Sequence, residues 1–135
     1  MSDAPERPLF VVGVTSCPGY RPGDGRFVAG TLHRLLRRRR GYCDVMLHLA
    51  IGSQVGEAVH AWASGVGLHP AYSSAGLPYL RPAENALRGV CGLLPAADAV
   101  VVFCADPDGE FARVCRWLGR RCRVDLRVVG PPPGG

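Results

Sequence analysis

Lysine is absent from this 135-residue chain: all 16 of its basic residues are arginine. Arginine, alanine, glycine and proline are in excess, a pattern that a GC-rich coding sequence produces as readily as a binding surface does. The net charge of +5 is therefore weak ground for naming a polyanionic partner. Long apolar runs are missing too. None approaches the ~20 residues of a membrane span, and the opening MSDAPERP lacks the apolar core of a signal peptide, so a cytoplasmic protein with no membrane partner is expected. Paired cysteine spacing is also lacking. Cys17, Cys43, Cys91, Cys104, Cys115 and Cys122 form no CxxC, and their neighbours are mostly Val, Leu, Phe and Trp. They read as buried free thiols, with no metal site implied. The four histidines, His33, His48, His60 and His69, show no ligand spacing either, and His48 reads as a core residue.

Apolar residues, by contrast, make up 47% of the chain, which suits a folded globule. At this length about two-thirds of the unfolded surface can be buried in one domain, so no cross-link, metal or cofactor is required to hold a core. Residues 1–8 are expected to be a loose lead, 9–129 the domain and 130–135 a disordered Pro/Gly tail.

The stretch Cys43–Trp62 (CDVMLHLAIGSQVGEAVHAW) sets the pattern for the rest. Val45–Ile51 is a near-continuous apolar run, as in a strand buried on both faces. Val55, Ala58, Val59 and Trp62 then recur at helical spacing. Gly52-Ser53 makes the elbow between them, with Ser53 expected as the N-cap. Free amides and the positive end of a helix dipole at such an elbow make an anion site.

Leu9–Thr15 reads as the first strand, followed by the turn-rich CPGYRPGDG. Phe27, Val28, Leu32, Leu35 and Leu36 form a helical stripe that ends in Arg37–Arg40 and Gly41. Basic residues there oppose the negative dipole end, and the glycine is expected to take a left-handed cap. Leu68–Ser73 is a weaker third strand, placed near an edge or a strand end by Pro70. Ser74–Arg81 is expected to loop over the sheet. Pro82 starts a helix with Ala83, Leu87, Val90, Cys91 and Leu94 inward. Asp98–Cys104 is the clearest strand. After it Asp108 caps a helix with Phe111, Val114, Cys115 and Leu118 inward, and Val124–Val129 is the last strand. Strands alternating with helices predict an α/β fold, a single Rossmann-like three-layer domain of about five mostly parallel strands. A crevice then opens at the carboxyl ends of the strands, where Thr15–Tyr20, Gly52–Glu57 and Ala105–Glu110 turn.

These motifs resemble the small YspA-like branch of the SLOG superfamily, the Rossmann-like group that includes the Smf/DprA and LOG proteins. The family's first strand ends Val-Thr-Gly before a polar turn, and this one ends Val14-Thr15-Ser16-Cys17-Pro18-Gly19-Tyr20. Its second strand runs into His-Gly-Gly-Ala-x-Gly-Ala-Asp, here residues 50–57, with Gly52 kept, Ser53 for Ala, Gln54 at the variable basic position and Glu57 for Asp. Pro70-Ala71-Tyr72, Gly76, Pro82-Ala83-Glu84-Asn85 and the ADAVVVF strand follow in the family's order. The last motif departs: Pro-Gly-Gly-x-Gly-Thr is replaced by CADPDGE, which keeps only Gly109. LOG enzymes use a Glu one turn after that motif and a nearby Arg; Glu110 and Arg113 are close in sequence but stand at another spacing.

The resemblance implies a nucleotide or nucleotide-derived ligand lined by Thr15, Ser16, Cys17, Gly52, Ser53, Gln54, Gly56, Asn85, Asp106 and Gly109. A sensor or sequestering domain is the first reading. An N-glycoside hydrolase or transferase is the second, drawing on Glu57, Asp106, Asp108 and Glu110 as candidate carboxylates, with Glu57 and Glu110 foremost. Nucleic-acid binding through Arg34–Arg40 and Arg113–Arg127, by analogy with DprA, is the weakest, because the Arg run already has a helix-ending role. Homo-oligomer formation is left open.

Overall fold

The computed structural model describes residues 7–132, apart from 22, 24, 51, 52 and 74–79. In chain order the elements are β1 (Leu9–Ser16), α1 (Arg26–Arg40), β2 (Asp44–Ala50), α2 (Gly56–Gly65), β3 (Ala71–Ser73), α3 (Pro82–Leu93), a 3₁₀ turn (Leu94–Ala96), β4 (Ala99–Phe103), α4 (Glu110–Cys122) and β5 (Asp125–Val129). The strands form one parallel sheet in the order β3-β2-β1-β4-β5. From β1 the chain winds outward to β3, then crosses back to β4 and winds the other way. The reversal lies between β1 and β4, the place at the carboxyl edge where this architecture puts its ligand sites.

Side-chain alternation assigns the helices to faces. Gly13 of β1 lets α3 approach, since a Cβ there would stand 3.0 Å from that of Leu93. Leu126 is on the same face, through the register Gly13↔Val100↔Leu126, and meets α4 at Gly119, where a Cβ would come within 2.6 Å of its own. Ser16 is paired with Phe103 on the opposite face, where the Phe27 ring of α1 meets Phe103 edge-on. Thus α1 and α2 cover one face, α3 and α4 the other. The core is largely aliphatic, built around Val12, Val14, Leu32, Leu47, Leu49, Val90, Leu93 and Val100–Phe103.

Several boundaries differ from expectation for local reasons. The third strand shrinks to Ala71–Ser73, because Pro70 has no N–H for the ladder. The second strand is not buried on both faces: only its carboxyl half is, and Met46 is 42% exposed. Gly41 closes α1 in a right-handed conformation (φ −69°), whereas Arg123, closing α4, takes a left-handed one (φ 58°). Neither expected N-cap caps its helix. Helix α2 begins at Gly56 with Val55 in the cap position, and α4 begins at Glu110 with Gly109 there. On α3 the buried stripe is Gly89, Val90 and Leu93, while Ala83 and Cys91 face outward.

Candidate functional site

The end of β1 lies between two turns because β1 pairs with both β2 and β4. On the β2 side, Ser16 is buried, and its hydroxyl accepts the Gln54 N–H at 2.9 Å and lies 3.3 Å from the Ser53 hydroxyl. Ser53 Oγ in turn accepts the Val55 N–H at 3.3 Å, which makes a serine turn just ahead of α2. Two amides expected to face an anion are therefore already engaged by hydroxyls. On the β4 side, Cys17 N–H donates to the Phe103 carbonyl at 2.9 Å, extending the ladder past the strand, and Ala105 N–H donates to Cys17 Sγ at 3.4 Å.

Beyond Cys17 the chain folds back on itself. Tyr20 N–H donates to the Cys17 carbonyl, and Gly19 has φ 77°, as a type II turn with Pro18 at its first corner requires. The turn drives Tyr20 inward. Its ring packs on Phe103 at 5.7 Å and the residue is 2% exposed. Its hydroxyl is buried with no hydrogen-bond partner among the described residues, the one such side-chain oxygen or nitrogen found there. Burial, and then the neighbouring Cys17 and Cys104 thiols, push its pKa up, so it stays a neutral phenol with a proton to donate. In the sequence Tyr20 is only one residue of a turn, with nothing to give it a role. The Cys-Pro-Gly-Tyr spacing, a turn that returns an aromatic toward the strand it leaves, is the signal that could have found it.

All four α-helices begin at this edge, and their first turns differ in charge. Glu57, Glu84 and Glu110 stand in the first turns of α2, α3 and α4, while that of α1 has no acidic residue and no side-chain cap. The start of α1 abuts α2, with a Cβ built on Gly25 lying 3.2 Å from that of Ala58. An anion at the edge is therefore least repelled at the amides of α1. The turn after β4 has the opposite character: Asp106 Oδ1 accepts the Asp108 N–H at 3.2 Å, Gly109 N–H returns to the Asp106 carbonyl, and both carboxylates are exposed. Such a turn suits hydroxyl or amino groups.

Of the residues expected to line a ligand, Ser16, Cys17, Ser53 and Gln54 gather at the end of β1, and Asp106 and Gly109 flank it on the β4 side. Gly56 opens α2 beside them. Thr15 is buried on the α3 face beneath this group. Asn85 lies on that face too, one turn before Gly89, whose own neighbour is Ala50 at the end of β2. Gly52 and Gly76, with most of the 74–81 loop, fall outside the described residues. Glu57 and Glu110 begin helices on opposite faces of the sheet, so the structure does not bring the two carboxylates into one pair. Among the described residues no three His, Cys, Asp or Glu side chains group as a metal site would need, and no helix is long and apolar enough to cross a membrane.

Compared with family models, with characterised proteins and with solved structures, the chain matches none.

Proposed function

We propose that the crevice over the carboxyl ends of β1 and β4 binds a nucleotide or a nucleotide-derived small molecule, and that the chain serves as a sensor or sequestering domain. The observation that carries this reading is the buried Tyr20 hydroxyl at the strand-order reversal, which has no hydrogen-bond partner among the described residues. A buried polar group without a partner costs about 1–3 kcal/mol, and a ligand oxygen would relieve that cost. The charge pattern supports the same reading. A phosphate fits the first turn of α1, which carries no acidic residue, and ribose hydroxyls or a base amino group fit the carboxylates of Asp106 and Asp108. The likeness of the Gly52–Glu57 turn to the SLOG motif points to the same ligand class. Turnover is not part of the proposal, because Glu57 and Glu110 share no site.

A thermal-shift series with nucleoside monophosphates, NAD and ADP-ribose tests it. A true ligand at 100 times its dissociation constant should stabilise the fold by about 2.7 kcal/mol. Tyr20→Phe should fold at least as stably when empty and should shrink that ligand-induced shift. If no member of the series shifts the midpoint, or if Tyr20→Phe leaves the shift intact, the assignment is wrong. Release of free base that disappears in Glu57→Gln would replace it with the hydrolase reading.

A further inference from the structure

The ends of β1 and β4 hold two cysteines in register. Ser16 is paired with Phe103, a pair that the Cys17 N–H to Phe103 carbonyl bond closes, so Cys17 and Cys104 are the next residues on adjacent strands, on the α3/α4 face. Neighbouring strands lie about 4.8 Å apart, within the Cα separation of about 4.4–6.8 Å that a disulfide spans. The Cys17 thiol is close enough to be among the groups that push the Cys104 thiol up, after burial. Both residues follow the last ladder position of their strands, where the backbone can adjust to a cross-link. Cys17 is 8% exposed at the carboxyl edge and Cys104 1%.

We propose that Cys17 and Cys104 form a peroxide-driven, thiol-reversible disulfide that staples β1 to β4 at the strand-order reversal. Cys17, as its thiolate, attacks hydrogen peroxide: an S–O bond forms, the O–O bond breaks and hydroxide leaves, giving a sulfenic acid. The sulfur of Cys104 then attacks that of Cys17. The S–S bond forms, the S–O bond breaks, and the leaving hydroxide takes up the Cys104 proton as water. One peroxide is reduced to two waters and two thiols are oxidised to one disulfide.

The division of roles follows from position. Cys17 is nearer the surface and accepts the Ala105 N–H, whereas Cys104 is deeper and its thiol is pushed up to about 12 by burial and by its Cys17 neighbour. A thiol held protonated is a poor first nucleophile but suffices for a neighbour that cannot diffuse away. Cys115, the next thiol inward, belongs to α4 and shares no strand register with either. The proposal does not rest on the ligand assignment.

The test uses the full chain carrying Cys91→Ser and Cys122→Ser, which removes both exposed thiols. After brief hydrogen peroxide treatment, alkylation in denaturant and peptide mapping should recover one peptide pair joining Cys17 to Cys104. Dithiothreitol should restore both alkylation sites. In Cys104→Ala the reaction should stop at Cys17, which a dimedone probe then labels; Cys17→Ala should show neither product. A bridge to Cys43 or Cys115, bridges only between chains, or alkylation unchanged by peroxide would overturn the proposal. Circular dichroism of each variant confirms that it is folded before it is scored.

Discussion

Cys104 and Cys115 are buried among apolar neighbours, and desolvation is the largest cause pushing each thiol up to about 12 from an ordinary 9.0. The folded chain therefore keeps two protons that the unfolded chain releases near 9. The folded state binds more protons in that interval, so stability is fully present below it and falls as pH climbs from about 9 toward 12. Urea midpoints at pH 7.5 and pH 10.5 should show a lower value at the higher pH, and Cys104→Ala should shrink the difference, leaving the share of Cys115. Unchanged midpoints would show that these thiols ionise as readily folded as unfolded. Ser16 illustrates the same link between burial and partnership from another side. Its hydroxyl is buried because it has the Gln54 amide to bind, and the serine was readable in the sequence while its partner was not.

Among the elements, α4 and β5 are brought close together through a glycine and a strained cap. Gly119 leaves no room for a Cβ against Leu126, so the helix can lie close on the strand, and the chain then reverses at Arg123 in the left-handed region. A side chain in that conformation costs about 1 kcal/mol, and glycine avoids the cost while keeping the cap. Arg123→Gly should therefore stabilise the protein by roughly 0.5–1 kcal/mol, read as a higher urea midpoint at an unchanged slope. A loss of stability would mean that the Arg123 side chain contributes more than its backbone costs. The Arg37–Arg40 run, too, is used at the scale of its element. Arg39 lies 4.2 Å over the Phe10 ring and Arg40 donates to the Val66 carbonyl, so part of the run ties the end of α1 to its surroundings.

Across the whole molecule the sheet is most secure at its centre. β1 is paired on both sides and covered on both faces, whereas β3 has three residues at one edge and β5 is paired only with β4. Native-state hydrogen exchange should be slowest at Val12–Thr15 and Val100–Phe103 and markedly faster in β3, with β5 between. Equal protection across the sheet would argue that the edges are covered by a second chain. The candidate site draws on this gradient, because the groups around Ser16 and Cys17 project from the best-held strand while the turns that flank them belong to neighbours less firmly fixed.

The fold class was legible in the sequence because periodicity is local: five apolar runs separated by helical stripes can pair only as a parallel sheet with helices on both faces. The turn residues at the carboxyl edge followed from that alternation, and so did Ser16, Cys17, Ser53 and Asp106 as a neighbourhood. Register was not legible. That Ser16 takes the Gln54 amide, that Cys17 lies beside Cys104, and that Glu57 and Glu110 begin helices on opposite faces are all consequences of strand order and crossover. These join residues far apart in the chain, and no local pattern encodes the spacing between strands.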